Sequence, residues 1–187
     1  MPTREGEPCL RTAEGDFWRT YLFIEGAKTY DLVANLQHVY NAARAFGEFQ
    51  KTLAALPPPR LNETIPDFHH TRKRFERFQD AVREDAKNRA AGVREEIAFA
   101  EARAQDAARL VEMKERGELP ERVTHNDTKF NNVMLDDRTG EAVCVIDLDT
   151  VMPGLAAYDF GDSVRIGAST ALEDERDLAK VSMDLAM

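Results

Sequence analysis

Three shortages in the sequence each exclude a class of protein. Only two residues are cysteine, and Cys9 and Cys144 lie far apart, so we expect free thiols, with Cys144 buried in an apolar run, rather than a disulfide framework. The apolar runs are only a few residues long, which is far too short to cross a membrane. The N-terminus also lacks the basic and apolar pattern of a signal peptide, so we expect a cytoplasmic protein.

Positive charge is also scarce. Lysine and arginine total 25 against 34 aspartate and glutamate residues, which gives a net charge of -9 and a pI near 5.0. A nucleic-acid partner requires a basic face, so none is expected, and a phosphate ligand would need a metal ion. The hydrophobic residues, 43% of the chain, are enough for the core of one domain.

The N-terminal part of the chain predicts a strand and then a long helix. Residues 17–24, "FWRTYLFI", are rich in aromatic and β-forming residues and are followed by a Glu-Gly pair that ends the strand. A helix is predicted to begin near residue 32 with Thr29 or Asp31 as its cap, and to run to about Leu56. The prolines at 57–59 end it.

Further along, a helical region gives way to a hairpin. Helical periodicity starts near Pro66 and continues through residues 75–111 with a break at Gly92, and the charged residues between are interpreted as a solvated helix surface. Residues 133–149, "VMLDDRTGEAVCVIDLD", are two short apolar runs around a turn sequence, which predicts a β-hairpin. Together these segments predict an α+β fold that is mainly α.

The densest polar cluster is "THNDTKFNNVML", on a loop that enters the first hairpin strand. It contains His125, Asp127, Lys129, Asn131 and Asn132. A polar turn is the simplest interpretation of such a segment. Catalytic groups also favour loops held by rigid elements, so the cluster is our first candidate for an active site.

The hairpin predicts a metal site beside this loop. Two strands of about 5 residues and a turn of about 5 span roughly 15 residues, which is the step from Asn132 to Asp147 and brings the two together. With Asp127 and Asp149, this would gather three carboxylates, whose close pairs repel by about 4 kcal/mol unless a cation lies among them. All-oxygen ligands suit Mg²⁺ or Mn²⁺ rather than zinc.

The triplet "DFG" at 159–161 has the letters of the magnesium-binding triplet of protein kinases. It lies well beyond Asn132 in the chain, follows a Pro-Gly pair and does not end an apolar strand, whereas Asp147 does. We therefore interpret Asp147 as the metal ligand and the later triplet as a coincidence.

The pattern H-x-D-x-K-x-x-N at 125–132 resembles the catalytic loop of protein-kinase-like phosphotransferases. Together with "CVIDLDTVMPGLAAYDFGDSVR", it looks like the aminoglycoside phosphotransferase and choline kinase superfamily, and most closely the N-acetylhexosamine 1-kinase branch. "FWRTYLFIEGAKTYD" resembles the strand and hinge beside the adenine pocket of that group. The likeness spans about residues 17–167, with strong motifs at its two ends.

The resemblance implies a role for each polar residue of the loop and hairpin. Asp127 would be the catalytic base and Lys129 a contact to the phosphate of ATP, the co-substrate. Asn132 and Asp147 would bind Mg²⁺, and Asp149 would be a secondary metal or water contact.

It also implies roles for residues around the loop. Residues expected to support the loop are His125 and Asp159, the second of which is also expected to cap a helix. Asn131, Asp162 and Arg165 are expected either to contact the substrate or to brace the loop. The backbone groups expected to meet adenine are those of Phe23 and Glu25.

The resemblance further implies a protein-kinase-like large lobe, with residues 1–27 as a small-lobe remnant and hinge and residues 28–187 as the helical lobe. No lysine precedes Lys28, so neither a strand lysine nor a phosphate-covering loop is visible there. We expect weak turnover by this chain alone, and self-association through the exposed cleft face.

The implied activity is ATP-dependent phosphorylation of an N-acetylhexosamine at its anomeric hydroxyl. Choline, aminoglycosides or other sugars remain alternative acceptors, because they use the same machinery. A non-catalytic, degenerate kinase lobe that binds a ligand or partner is a second alternative. A nucleotide-sugar glycosyltransferase is a third, because residues 147–149 also form a D-x-D motif.

Overall fold

The computed structural model describes residues 1–32, 35–57 and 59–184, and it shows a mixed α+β fold with more helix than strand, as predicted. The strands are Leu10–Arg11 (β1), Phe17–Trp18 (β2), Ala27–Lys28 (β3), Arg122–Thr124 (β4), Val133–Asp136 (β5), Ala142–Val145 (β6) and Met152–Gly154 (β7). The α-helices are Leu36–Leu53 (α1), Thr71–Glu84 (α2), Arg94–Glu101 (α3), Ala104–Glu115 (α4) and Ala156–Gly167 (α5). Positions 33, 34 and 58, on which the predicted start and end of the first helix partly fall, lie outside the described residues, as does the C-terminal end at 185–187.

Helix α1 is capped by Asn35, whose side-chain oxygen accepts a hydrogen bond of 2.9 Å from the N–H of His38. The predicted caps, Thr29 and Asp31, are wrong because the helix begins later in the chain than its apolar pattern suggested. The helix also ends earlier than predicted, at Leu53. An asparagine oxygen satisfies one of the N–H groups that the first turn leaves unpaired, which explains why the helix starts where it does.

The second helical region is interrupted as predicted near Gly92. Residues 85–93 separate α2 from α3, and Asp85 ends α2 in the left-handed region with φ of 37°. A second interruption, at 102–103, separates α3 from α4. Of the described residues in these three helices only Val111 is buried, so the layer presents mostly charged surface.

The predicted strand over residues 17–24 is wrong for most of its length. Only Phe17–Trp18 forms a strand, and it pairs with β1 in a two-stranded ribbon. Residues 19–24 are not in a strand, and Tyr21, Leu22 and Phe23 are exposed, Phe23 at 87%. High β-propensity describes a side chain that suits a half-buried sheet, and it cannot supply the neighbouring strand.

The predicted hairpin is confirmed. β5 and β6 pair antiparallel with Val133 opposite Val145, and β3 adds to β5 on the other side. Asp136 stabilises the turn, since its Oδ1 accepts hydrogen bonds from the backbone N–H groups of Arg138 and Thr139. Gly140 completes the turn with a φ of 70°.

The core lies between α1 and this sheet. Residues of the cluster that are fully buried are Ala42, Phe46, Phe130, Val133 and Leu135. Phe130 precedes Asn132 in the sequence, and Val133 and Leu135 follow it. The polar loop is therefore attached directly to this buried core. Two free thiols are present as predicted, although Cys144 is half-buried rather than fully buried.

A second pair of strands, β4 and β7, supports the other end of the loop. Thr124 pairs with Met152, and Gly154 packs so closely that a Cβ atom there would lie 2.3 Å from Thr124 Oγ1. A larger residue at Gly154 would have to displace the buried side chains of Thr124 and Asn126. None of the helices in the described part of the chain combines the length and hydropathy needed to span a bilayer.

Candidate functional site

The polar loop between β4 and β5 is buried along most of its backbone. Thr124, His125, Asn126 and Thr128 are each no more than 3% exposed. Buried polar groups need hydrogen-bond partners, so a loop of this kind must be fastened on all sides. The residues that supply these hydrogen bonds come from four separate parts of the chain.

Asp159, on the first turn of α5, is the central anchor. Its Oδ2 accepts hydrogen bonds from the backbone N–H of His125 at 2.9 Å and from Gln50 Nε2 at 2.6 Å. Its Oδ1 accepts the N–H of Asn126 at 2.8 Å, and its own backbone oxygen accepts from Thr128 Oγ1. The side chain is 2% exposed, so the carboxylate is solvated by these donors instead of water.

The prediction that Asp159 caps a helix is wrong. The N-cap position of α5 is Leu155, and no side chain caps the helix there. The carboxylate therefore lies within the first turn, where the helix dipole favours a negative charge, but its oxygens are directed at the loop.

His125 lies inside the core beneath the loop. Its Nε2 donates a hydrogen bond of 2.9 Å to the backbone oxygen of Ile146, the last residue before Asp147. The rings of Phe46 and Phe49 contact it edge-on, with centroids 5.3 and 5.6 Å away. Its Nδ1 is buried without a partner among the described residues. This placement suits a residue that joins the loop to the second hairpin strand.

The structure brings Asp127, Asn132 and Lys129 into one cluster. Asn132 Nδ2 donates to the Asp127 backbone oxygen at 2.8 Å and to its Oδ2 at 3.1 Å. Lys129 Nζ lies 3.4 Å from the same Oδ2. Burial opposes the charge on Lys129, but the carboxylates of Asp127 and Glu173 outweigh it and raise the pKa of Lys129 above its ordinary value.

The hairpin register places Asp147 beside Asn132. The N–H of Ile146 donates to the backbone oxygen of Asn132 at 2.9 Å, and Asp147 is the next residue. Asp147 is exposed and has a left-handed backbone with φ of 57°, a conformation that is costly for a non-glycine residue and often found at functional sites. The strand ends here because the left-handed residue turns the chain into the 3-10 helix Leu148–Thr150.

The predicted cluster of three carboxylates is not formed. Among residues 1–32, 35–57 and 59–184, no group of three or more histidine, cysteine, aspartate or glutamate side chains is placed to hold a metal. Asp149 forms an ion pair with Arg19, and its carboxylate is mostly exposed. The turn after Asp147 carries Asp149 to the N-terminal segment. The candidate ligands that remain are the carboxylates of Asp127 and Asp147 and the amide of Asn132.

Asn132 and Asp147 are the residues that could hold a divalent cation here. The amino group of Asn132 is directed at Asp127, and no described donor contacts Asn132 Oδ1, so that oxygen is available as a ligand. Asp147 supplies an exposed carboxylate next to it in the hairpin register. Amide and carboxylate oxygens are the ligands that Mg²⁺ takes in phosphate sites, where water and phosphate complete the shell.

A chain of ion pairs leads from the loop to the segment after α5. Glu173 lies 3.6 Å from Lys129 Nζ and 3.3 Å from Arg165. Arg165 in turn contacts Asp162 at 2.8 Å. Burial lowers the pKa of Arg165, but the carboxylates of Asp162 and Glu173 outweigh burial and raise the pKa above its ordinary value. This series of ion pairs therefore connects α5 to Lys129 in the loop.

Lys129, Arg165 and Glu173 border a cavity of about 620 Å³. Its wall includes Lys129, Asn131 and Arg165, together with apolar Phe130, Ile166 and Leu172. Asn131 donates to Asp31 at 3.1 Å, while its Oδ1 is buried without a partner among the described residues. A buried acceptor without a donor indicates that a ligand or water belongs there.

The predicted adenine contacts lie away from this cluster. Phe23 is exposed, and Glu25 stands at the turn before β3. The backbone oxygen of the next residue, Gly26, accepts a hydrogen bond of 2.9 Å from the N–H of Asp137 in the hairpin turn. The turn is thus attached to the hairpin, and contact with a nucleotide base stays a prediction.

Sequence reasoning missed four residues that contact the loop, its lysine or its anchor, Asp159. They are Gln50, His69, Thr150 and Glu173. Each is an isolated polar residue in a helix or loop, and only its long-range contact distinguishes it. No local pattern could have found them.

One comparison with known proteins adds to this geometry. Residues 7–182 match the family model described as "APH: Phosphotransferase enzyme family". The match includes the loop, the hairpin, α5 and the segment that carries Glu173.

The anchor at Asp159 generates a stability prediction. In Asp159→Asn an amide N–H₂ group would face one of the N–H donors of the loop, so we expect the free energy of unfolding to fall by about 3 kcal/mol. Urea unfolding followed by circular dichroism would measure it. Asp106→Asn, an exposed change in the first turn of α4, is the control and should cost only about 0.5 kcal/mol. Equal losses in the two variants would contradict the anchoring role.

Proposed function

The chain belongs to the APH phosphotransferase enzyme family, and we propose that it transfers the γ-phosphoryl group of ATP to the anomeric hydroxyl of an N-acetylhexosamine. The family supports the general activity, a phosphotransferase acting on a small hydroxyl substrate. The observation that carries the assignment to this site is the contact between Asp127 and Asn132 on a loop whose backbone is fastened by Asp159.

In this proposal Asp127 is the catalytic base. Its carboxylate accepts the proton of the acceptor hydroxyl as that oxygen bonds to the γ-phosphorus and the bond from the phosphorus to the ADP oxygen breaks. Asn132 donates to the same carboxylate and to the Asp127 backbone oxygen, which holds the base in one orientation. Such orientation is a large part of catalysis in phosphoryl transfer.

Lys129 contacts the γ-phosphate, where its ammonium offsets negative charge. It lies close to both Asp127 and Glu173, so its charge is already balanced before a nucleotide binds. Asn132 Oδ1 and Asp147 would hold Mg²⁺, with Asp149 as a secondary contact once released from Arg19. When bound, the cation supplies electrostatic stabilisation of the phosphate oxygens.

The acceptor occupies the cavity of about 620 Å³ beside Lys129. Asn131 Oδ1 would accept a hydrogen bond from a hydroxyl or acetamido N–H, and Arg165, held by Asp162, would contact the remaining polar groups. The apolar part of the wall suits the C–H faces of a sugar ring.

Residues 1–27 form the nucleotide side in this proposal and residues 28–187 the helical lobe. The backbone groups of Phe23 and Glu25 contact adenine. Because Lys28 is the first lysine of the chain, residues 1–27 supply no lysine for the α- and β-phosphates, and we expect slow turnover by this chain alone.

The acceptor and the base can be tested together. We expect ATP-dependent phosphorylation of N-acetylhexosamines in a screen that also contains plain sugars, choline and aminoglycosides. Asp127→Asn should lower the rate by at least about a thousandfold, since the hydroxyl proton then has no acceptor, while the unfolding curve stays unchanged. Preference for another acceptor would overturn the proposed substrate, and failure of every acceptor with no heat of Mg-ATP binding would support a non-catalytic lobe.

The metal ligands predict a contrast between two neighbouring aspartates. Asp147→Asn should raise the Mg²⁺ concentration needed for half-maximal binding of ATP by about tenfold or more, because a charged ligand is lost. Asp149→Asn is the matched control and should change it less than about threefold, since Asp149 pairs with Arg19. Titration calorimetry at several Mg²⁺ concentrations would measure both. A larger effect at 149 than at 147 would reverse the assignment.

We also propose that the chain self-associates through its exposed cleft face, together with exposed apolar side chains of the N-terminal segment. Those of Trp18, Tyr21, Leu22 and Phe23 are each more than 60% exposed. Contiguous exposed apolar residues favour association in water. Light scattering should give a mass above the 21.1 kDa of one chain, and Leu22→Glu should lower it towards that value. A single-chain mass at high concentration would refute this.

A further inference from the structure

His69 lies on the segment before α2 and contacts the loop from the side opposite the sheet. Its Nε2 is 2.8 Å from the backbone oxygen of Asn126. Because a carbonyl oxygen can only accept, the imidazole must donate its Nε2 proton. Asn126 immediately precedes Asp127, so His69 binds the peptide group from which the base projects.

That peptide group follows a left-handed residue. Asn126 has a φ of 66°, a region that asparagine enters more readily than most other non-glycine residues, and it is 3% exposed, so its polar groups need partners inside the protein. Its N–H is bonded to Asp159 and its side chain to the oxygens of Thr124 and Thr150. The bond from His69 completes the set at the carbonyl.

Three successive carbonyl groups of the loop each receive one side-chain donor. Thr150 Oγ1 donates to His125 O at 2.7 Å, His69 to Asn126 O, and Asn132 Nδ2 to Asp127 O at 2.8 Å. Thr150 and Asn132 belong to the hairpin and its extension. His69 is the donor that comes from the helical layer in front of β4.

Aromatic contacts fix the direction of the His69 ring. Its centroid lies 4.6 Å from the ring of Phe68 and 5.3 Å from that of Tyr158 on α5. These two rings restrict the imidazole, and its N–H is directed at Asn126 O before any substrate binds.

We propose that His69 is a positioning residue for phosphoryl transfer: it holds the peptide between Asn126 and Asp127 in the orientation that aims the base at the acceptor hydroxyl. This inference rests on the proposed function, because it assumes that Asp127 is the base. Without the donor, the left-handed peptide relaxes and the Asp127 carboxylate moves. A displacement of about 1 Å at a reacting group can lower a rate by about a hundredfold.

The neighbouring His70 provides a matched control. Its Nδ1 accepts a hydrogen bond of 3.3 Å from the N–H of Lys73, so it caps α2 and serves the helix rather than the loop. His70→Phe also removes one imidazole from this segment, but one that does not contact the loop carbonyl. Any effect that follows from disturbing the segment as a whole should therefore appear in both positions.

The experiment compares the wild type with His69→Phe, His69→Gln and His70→Phe. In His69→Phe the ring contacts remain but the donor is lost, and we expect kcat to fall about tenfold to hundredfold with KM for the acceptor within about threefold. In His69→Gln the amide N–H₂ restores a donor, and kcat should recover to within about threefold of the wild type. His70→Phe should leave kcat unchanged.

Hydrogen exchange of the loop gives a second readout that does not depend on activity. The amides of His125 and Asn126 should exchange at least about tenfold faster in His69→Phe than in the wild type, with His69→Gln and His70→Phe close to the wild type. If the wild type transfers no phosphate, the proposed function fails and the exchange pattern alone decides the role of His69. Unchanged exchange and kcat in His69→Phe, or equal losses in His69→Phe and His69→Gln, would overturn the proposal.

Discussion

The carboxylate of Asp159 holds the loop between β4 and β5 by accepting the backbone N–H groups of His125 and Asn126, and it also accepts the amide of Gln50 on α1. A buried anion without a cationic partner is costly unless donors surround it, so the loop and α1 must keep these positions for α5 to fold against them. The two contacts to backbone N–H groups hold the peptide segment just before Asp127. Stability and the position of Asp127, the proposed base, therefore depend on one group.

The charged side chains near this anchor are more exposed than Asp159 and can respond to ligands. Lys129 is shared between Asp127 and Glu173, and Asp147 is exposed at the end of β6. A nucleotide phosphate would compete with the two carboxylates for Lys129, and a cation would compensate the acidic residues that remain. A rigid buried backbone with partly exposed charges is the arrangement expected of a site that must bind and release anionic ligands.

Much of the fold and of the loop could be predicted because the signals are local. The turn at 136–140 and its flanking apolar runs specify the hairpin, and the spacing from Asn132 to Asp147 follows from its length. The predicted strand over residues 17–24 is limited to Phe17–Trp18 because β-propensity cannot supply a partner strand. Helix α1 begins just after Asn35 because the side chain of this cap satisfies an N–H group of the first turn. The three-carboxylate cluster failed because one left-handed residue, Asp147, redirects the chain.

The sequence by itself determined the class of fold, the position of the loop and hairpin, and the residues that carry charge in them, since each depends on neighbours within about 15 residues. Only the tertiary structure decided which distant side chains fasten the loop, namely Gln50, His69 and Asp159, and which carboxylate turns away. The physical reason is that a hydrogen bond between segments 33 to 109 residues apart depends on how the helices pack, and no periodicity or spacing along the chain records that packing.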